Sequence, residues 1–281
     1  MPQSWCHRTV LPALVVSLMA ATACSERPAP AATSSTQPTP TSPEASPSTA
    51  TPPVASSGEV TAATAATSEP VGGELAGVHY VERLLGGARP DEPLPMIVTL
   101  HPMGADPLGA EALFARYPGK ARLIIPYGHP SGGAYFWYFD KDRARGARAA
   151  ADRLAPLLAA LTAARPTVGK PLVMGLSQGA VVAYAMALAH PESVSAIFPV
   201  SGVLPPTLLS HSQASAELPV VHAFHGVADP VFPVALARES VAEMRAAGFH
   251  ADLREYANVT HMPDEAEMRD LLSAMAGAVR F

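Results

Sequence analysis

Three side chains far apart along the chain have the types that nucleophilic hydrolysis requires: Ser177, Asp229 and His261. A serine hydroxyl is a poor nucleophile until a neighbouring base takes its proton. Imidazole suits that task near neutral pH, and a carboxylate orients the ring and stabilises its cation. Ser177 lies in Gly175-Leu176-Ser177-Gln178-Gly179, a Gly-x-Ser-x-Gly arrangement. At a sharp strand-to-helix turn such a serine is held in a strained backbone conformation, with its hydroxyl projecting above the sheet. Gly175 and Gly179 stand where a Cβ would collide with that turn.

The chain order serine, acid, histidine narrows the partners. Asp229 sits in His225-Gly226-Val227-Ala228-Asp229-Pro230, directly after an apolar run ending at Phe224, and Pro230 fixes the turn. Asp252 and Asp264 are the alternatives, but one is placed mid-strand and the other opens a helix. His261 falls in Asn258-Val259-Thr260-His261-Met262-Pro263, a loop between the last predicted strand and the last predicted helix. The other downstream histidine, His250, begins a strand-like segment, and His225 is read as ordering its own turn.

An oxyanion needs two backbone N–H donors. Gln178, just after the serine, supplies one at the start of a helix whose N-terminal end carries partial positive charge. The second is expected from Leu100–Asp106, where Met103 is the candidate because Pro102 has no N–H. His101 in that loop has two readings, turn-ordering residue (favoured) or pocket wall. Tyr135, Phe136, Trp137, Tyr138 and Phe139 stand equally open between lining an acyl pocket and packing in the core.

These groups need a frame. Short apolar runs at Met96–Leu100, Leu123–Pro126, Pro171–Leu176, Val194–Val200 and Pro219–Phe224 read as buried strands. Val78–Leu84 is predicted as an edge strand and Ala251–Tyr256 as a final, more polar one. One-face stripes at Val234, Ala237, Val241, Met244 and at Met268, Leu271, Leu272, Met275 predict helices, the first capped by Gly248. A third stripe, Leu154, Leu157, Leu158 and Leu161, contains Pro156, which predicts a kink or a restart. Alternating strands and helices imply an α/β fold: a mostly parallel sheet covered on both faces, with ligands at the carboxyl ends of its strands.

Composition removes several function classes. The 281 residues are 48% hydrophobic with a formal net charge of -5, so a large core is possible and no basic excess attracts nucleic acid. Both cysteines, Cys6 and Cys24, precede residue 25, which leaves the rest without disulfide, thiolate nucleophile or cysteine metal site. No cofactor or metal is expected, since the triad needs none and no histidine–carboxylate cluster has ligand spacing.

Residues 1–23 read as an export signal, with Arg8 ahead of an apolar run from Val10 to Ala23 that is short for a membrane span. Ala21-Thr22-Ala23-Cys24 resembles the lipobox of bacterial lipoproteins, with Ala21 where leucine is usual. That resemblance implies a lipid anchor on Cys24 and a protein facing the periplasm or cell surface; without processing there, the product is secreted. Residues 24–73, dominated by Ala, Ser, Thr and Pro, read as an extended linker to a domain at 74–281.

Leu100–Asp106, Gly175–Gly179, Ser201-Gly202, His225–Pro233 and the His261 loop together resemble the α/β-hydrolase superfamily, within it the phospholipase/carboxylesterase group that includes acyl-protein thioesterases. The resemblance implies Ser177 as nucleophile, His261 as base, Asp229 as its partner, and Met103 and Gln178 at the oxyanion hole. One departure is His101-Pro102, where the family's loop begins His-Gly. Residues 202–218 are too few for a large cap domain, so the site should be open and shallow. The activity implied is cleavage of small-molecule or lipid carboxylic esters through an acyl-enzyme. A peptidase, a polyester or feruloyl ester depolymerase, and an inactive surface-binding lipoprotein are the alternatives.

Overall fold

The computed structural model describes residues 71–139, 141–211 and 217–279. The stretch expected to be an export signal, Cys24, and the expected linker up to residue 70 lie outside the described residues. Among the described residues ten strands run in chain order as β1 Val71–Leu75, β2 Val78–Leu85, β3 Met96–Leu100, β4 Ala121–Pro126, β5 His129–Ser131, β6 Ala134–Phe136, β7 Leu172–Leu176, β8 Ala196–Val200, β9 Val220–Gly226 and β10 Ala251–Tyr256. The helices are α1 Gly109–Phe114, α2 Arg143–Ala164, α3 Gln178–Ala189, α4 Val234–Ala246 and α5 Glu265–Ala278.

Eight strands form one sheet in the order β1-β2-β4-β3-β7-β8-β9-β10, and β5 pairs with β6 as a separate hairpin. From β4 to β10 every pairing is parallel; β2 runs antiparallel to both of its neighbours. Strands β3, β4, β7 and β8 are buried along their whole length, as continuous apolar runs covered on two faces must be. One face carries α2, α3 and α4 residues such as Leu154, Tyr184 and Val241; the other carries Phe114 of α1 and Leu271 of α5. The architecture is the α/β-hydrolase fold. Between β8 and β9 the described residues hold one short 3-10 turn, Pro206–His211, and no large cap.

Two expectations about the early chain change. Val78–Leu84 is not the edge: β1 lies outside it, paired from Val71↔Glu82 to Leu75↔Val78. Gly72 and Gly73, assigned to the linker, therefore belong to the sheet, and a pair of glycines between Val71 and Glu74 leaves no apolar alternation to read. Pro156 neither splits nor restarts its helix, since α2 is continuous for 22 residues. The ring sits on the exposed side of α2, so the carbonyl it leaves unpaired faces water rather than the core.

The second half of β2 and the amino-terminal end of the antiparallel β4 contain a buried ion pair, Arg122 with Glu82. Arg165 Nε donates to the second Glu82 oxygen at 3.1 Å, and Arg122 Nη2 donates to the Pro90 carbonyl at 3.0 Å. Several partners share the carboxylate, which offsets the cost of removing the charges from water.

Candidate active site

β7 is a central strand, and the chain turns sharply from its end at Leu176 into α3 at Gln178. Ser177, the single residue between them, has φ 54° and ψ −112°, a positive φ that costs a non-glycine residue of order 1–3 kcal/mol. The turn is tight enough that a Cβ on Gly175 would overlap the Gly179 carbonyl, and one on Gly179 would overlap the carbonyl of Leu100. These two glycines thus serve close approach, and Gly179 brings α3 against the end of β3.

Ser177 Oγ stands 2.9 Å from His261 Nε2, and His261 Nδ1 stands 2.8 Å from Asp229 Oδ2. With the Nδ1–H donated to the carboxylate, Nε2 is the acceptor for the serine hydroxyl. Asp229 is fixed in turn by its other oxygen, which accepts the backbone N–H groups of Val231 at 2.7 Å and Phe232 at 3.0 Å. Burial opposes its charge, but the bond from His261 and those two N–H groups outweigh it and hold the carboxyl below its ordinary range. The acid and base loops are tied by Ala228 N–H to the Val259 carbonyl at 3.0 Å and Val227 N–H to Tyr256 at 2.9 Å. All three side chains thus come together at the carboxyl ends of β7, β9 and β10.

The loop after β3 lies beside this group. Gly104 N–H donates to the Tyr135 carbonyl at 2.8 Å and Ala105 N–H to Pro102 at 3.3 Å, whereas the N–H groups of Met103 and Gln178 donate to no other group among the described residues. Met103 is 64% exposed, and the bonds of Pro102, Gly104 and Ala105 on either side hold its backbone rather than its thioether.

Residues 136–277 match the phospholipase/carboxylesterase family. The chain belongs to that family. Among solved structures, esterase PE8 is 25% identical with a TM-score of 0.60, covering 70% of this chain and 99% of its own. Acyl-protein thioesterase 2 of Zea mays is 24% identical with a TM-score of 0.58, covering 71% and 99%. A carboxylesterase from Mesorhizobium loti is 20% identical with a TM-score of 0.61, covering 72% and 96%. No curated protein matches the sequence. As a member of the phospholipase/carboxylesterase family the protein is a hydrolase.

Around the site of this family member the open readings resolve. His101 orders its turn: Nδ1–H donates to the Pro102 carbonyl at 2.8 Å, Nε2 accepts Gly128 N–H at 3.1 Å, and the ring stacks on Trp137. Burial lowers its proton affinity, which keeps it in the neutral form those two bonds require. His225 likewise holds its own turn, with Nε2 at 2.8 Å from the Phe232 carbonyl. The aromatic run divides by burial. Trp137 is 1% exposed and packs in the core, whereas Phe139 is 62% exposed and meets Phe136 at a centroid distance of 4.9 Å.

Some contributions carry no local sequence signal. The Gln178 side chain accepts Trp137 N–H at 2.8 Å and donates to the Tyr138 carbonyl at 2.9 Å, binding the aromatic run to the nucleophile turn. Trp137 Nε1–H adds a bond of 2.8 Å to the His101 carbonyl. Phe232 tilts against His261 at a centroid distance of 5.8 Å, and the Arg143 guanidinium lies over the Phe232 ring at 5.2 Å from its centroid. The Asp229 turn had a legible signal, an Asp ahead of Pro-Val-Phe whose carboxylate can accept the N–H groups two and three residues on.

Proposed function

We propose that this protein is an exported serine esterase in which Ser177 is the nucleophile, His261 the general base and Asp229 its orienting acid. The observation that carries the reading is the continuous path from Ser177 Oγ through His261 to Asp229, with both hydrogen bonds under 3 Å. Ser177 Oγ attacks the ester carbonyl carbon as its proton passes to His261 Nε2. The oxyanion accepts the N–H groups of Gln178 and Met103, which no other group occupies among the described residues. His261 then gives that proton to the leaving alcohol oxygen as the C–O bond breaks, leaving an acyl-serine. Water, deprotonated by the same imidazole, attacks the acyl carbon and releases the acid and Ser177.

Asp229 remains ionised throughout and stabilises the imidazolium that forms twice in each cycle. The exposed apolar side chains of Met103 and Phe139, the latter against Phe136, favour uncharged or lipid-like esters over charged ones. Export, with an anchor on Cys24, is part of the proposal and rests on the N-terminal sequence alone. A lipid there contributes about 0.8 kcal/mol per buried methylene to membrane binding.

The test is hydrolysis of short-chain aryl esters by the protein and by Ser177→Ala, together with labelling by a fluorophosphonate. The expected result is a loss of about a millionfold in turnover and complete loss of labelling in the variant. Equal rates in the two proteins overturn the reading. Mass spectrometry of the mature N-terminus checks the anchor separately: an unmodified chain that starts elsewhere removes the lipid and leaves the chemistry standing.

A further inference from the structure

A cavity of about 190 Å³ lies between the sheet and α1. Its body is apolar, formed by Ala110 and Leu113 of α1 and by Met174 of β7. Pro102, Leu176 and Met262 line it as well; Leu176 is buried, and the exposed Met262 marks its open side, the mouth. Each of these three is the chain neighbour of a group that surrounds the reacting ester: Pro102 precedes Met103, Leu176 precedes Ser177, and Met262 follows His261. Adjacent Cα atoms are 3.8 Å apart, so this part of the lining borders the point where nucleophile, base and N–H donors meet. The single charged side chain in the wall is Asp106, and its Oδ1 is engaged by Leu108 N–H at 3.0 Å.

The chemistry of the leaving step decides which half of an ester this cavity faces. His261 Nε2 must deliver its proton to the alcohol oxygen, so that oxygen comes within hydrogen-bond reach of the imidazole. Whatever the oxygen carries then runs past the residue that follows the base, Met262, whose side chain is 56% exposed at the lip.

We propose that this cavity holds the alcohol portion of the substrate and selects esters of small, uncharged alkyl or aryl alcohols. The proposal rests on the assignment of Ser177 and His261 above and adds the substrate class to it. An apolar cavity of 150 Å³ accommodates benzene, so about 190 Å³ suits an alcohol of roughly six to eight carbons. A thioether at the lip adapts to either an alkyl chain or a ring.

The experiment compares alkyl acetates from methyl to dodecyl, which share one acyl-enzyme, with methyl esters of acids from acetate to dodecanoate. The proteins are the full chain, Ala110→Phe, which fills the cavity, and Met262→Trp, which closes its mouth from an exposed position. In the wild type kcat/KM should rise at least tenfold from methyl to hexyl acetate and fall beyond octyl. Either variant should erase that gain while leaving the preference among methyl esters in place. A flat alcohol series, or a loss confined to the acyl series, overturns the proposal. Fluorophosphonate labelling of each variant reports whether its site is assembled. If the wild type is neither labelled nor active, the esterase reading itself falls and takes this one with it; a labelled, active enzyme that ignores the alcohol sinks the cavity alone.

Discussion

His261 Nδ1 lies 2.8 Å from Asp229 Oδ2, across a separation of 32 residues, and that bond sets which imidazole nitrogen faces Ser177. An amide in place of the carboxylate presents an NH2 or a weaker acceptor and allows the other tautomer. Asp229→Asn should therefore fold, yet lose about 10⁴-fold in kcat. Steady-state kinetics on an aryl ester, with circular dichroism to verify folding, checks both halves.

The same carboxylate should govern part of the acid sensitivity. Its carboxyl is held below the ordinary value of 3.8, so it binds fewer protons folded than unfolded as the pH falls toward that value. The stability it contributes is complete above about pH 4 and lost as the pH drops through the lower folded value. Denaturant titrations between pH 5 and 2.5 should show a shallower fall for Asp229→Asn than for the wild type.

Glu267 behaves in the opposite sense. It lies in the first turn of α5, where the Asp264 side chain caps its N–H at 2.8 Å, but both of its carboxyl oxygens are buried without a hydrogen-bond partner. Burial, with Asp264 and Asp229 nearby, pushes its carboxyl from the usual 4.5 up to about 7. The folded protein keeps this proton while the unfolded chain releases it, so stability declines as pH rises from about 4.5 to 7 and the penalty is complete above that. Glu267→Gln should be more stable than the wild type by up to about 3 kcal/mol at pH 8.5. The difference should shrink to less than half at pH 5, as read by chemical denaturation at the two pH values.

The pair of Arg122 and Glu82 is structural and far from the chemistry. Glu82→Ala leaves the Arg122 guanidinium buried with only the Pro90 carbonyl, and should destabilise by about 3–5 kcal/mol. Per folded molecule, its kcat on an aryl ester should match the wild type. A large loss of kcat in protein that remains folded would show that this end of the sheet reaches the site.

Gly179→Ala tests the nucleophile turn. The added Cβ meets the Leu100 carbonyl, which is backbone and has nowhere to move without displacing β3. The expected cost is about 1–3 kcal/mol, accompanied by a fall in kcat, because the same displacement carries the Met103 loop away from Ser177. A variant with wild-type stability and wild-type kcat would mean that the contact is looser than its geometry.

The strands and the nucleophile turn were legible because each is written locally. Met96–Leu100 and Ala251–Tyr256 were read with their observed bounds, since unbroken or alternating apolar runs carry their own period. Gly175 and Gly179 mark Ser177 through steric demands confined to five residues. The β5–β6 hairpin left no such trace: its residues are exposed or half-buried, and its short strands contain Pro130 and no apolar alternation. The extra strand β1 escaped for a related reason, since two of its five residues are glycines and it is defined by what it pairs with.

By itself the sequence determined the residue types, the order of serine, acid and histidine, and the turn that exposes a hydroxyl, because these depend on neighbours within a few positions. Only the tertiary structure decided that Asp229 rather than Asp252 meets His261: Asp252 pairs instead with His222 at 2.6 Å across β9 and β10. It also decided that Glu267, in a helix turn where acids are ordinarily solvated, is sealed from water without a partner. Long-range pairing and burial depend on which surfaces the sheet brings together, and no local pattern in the chain records that.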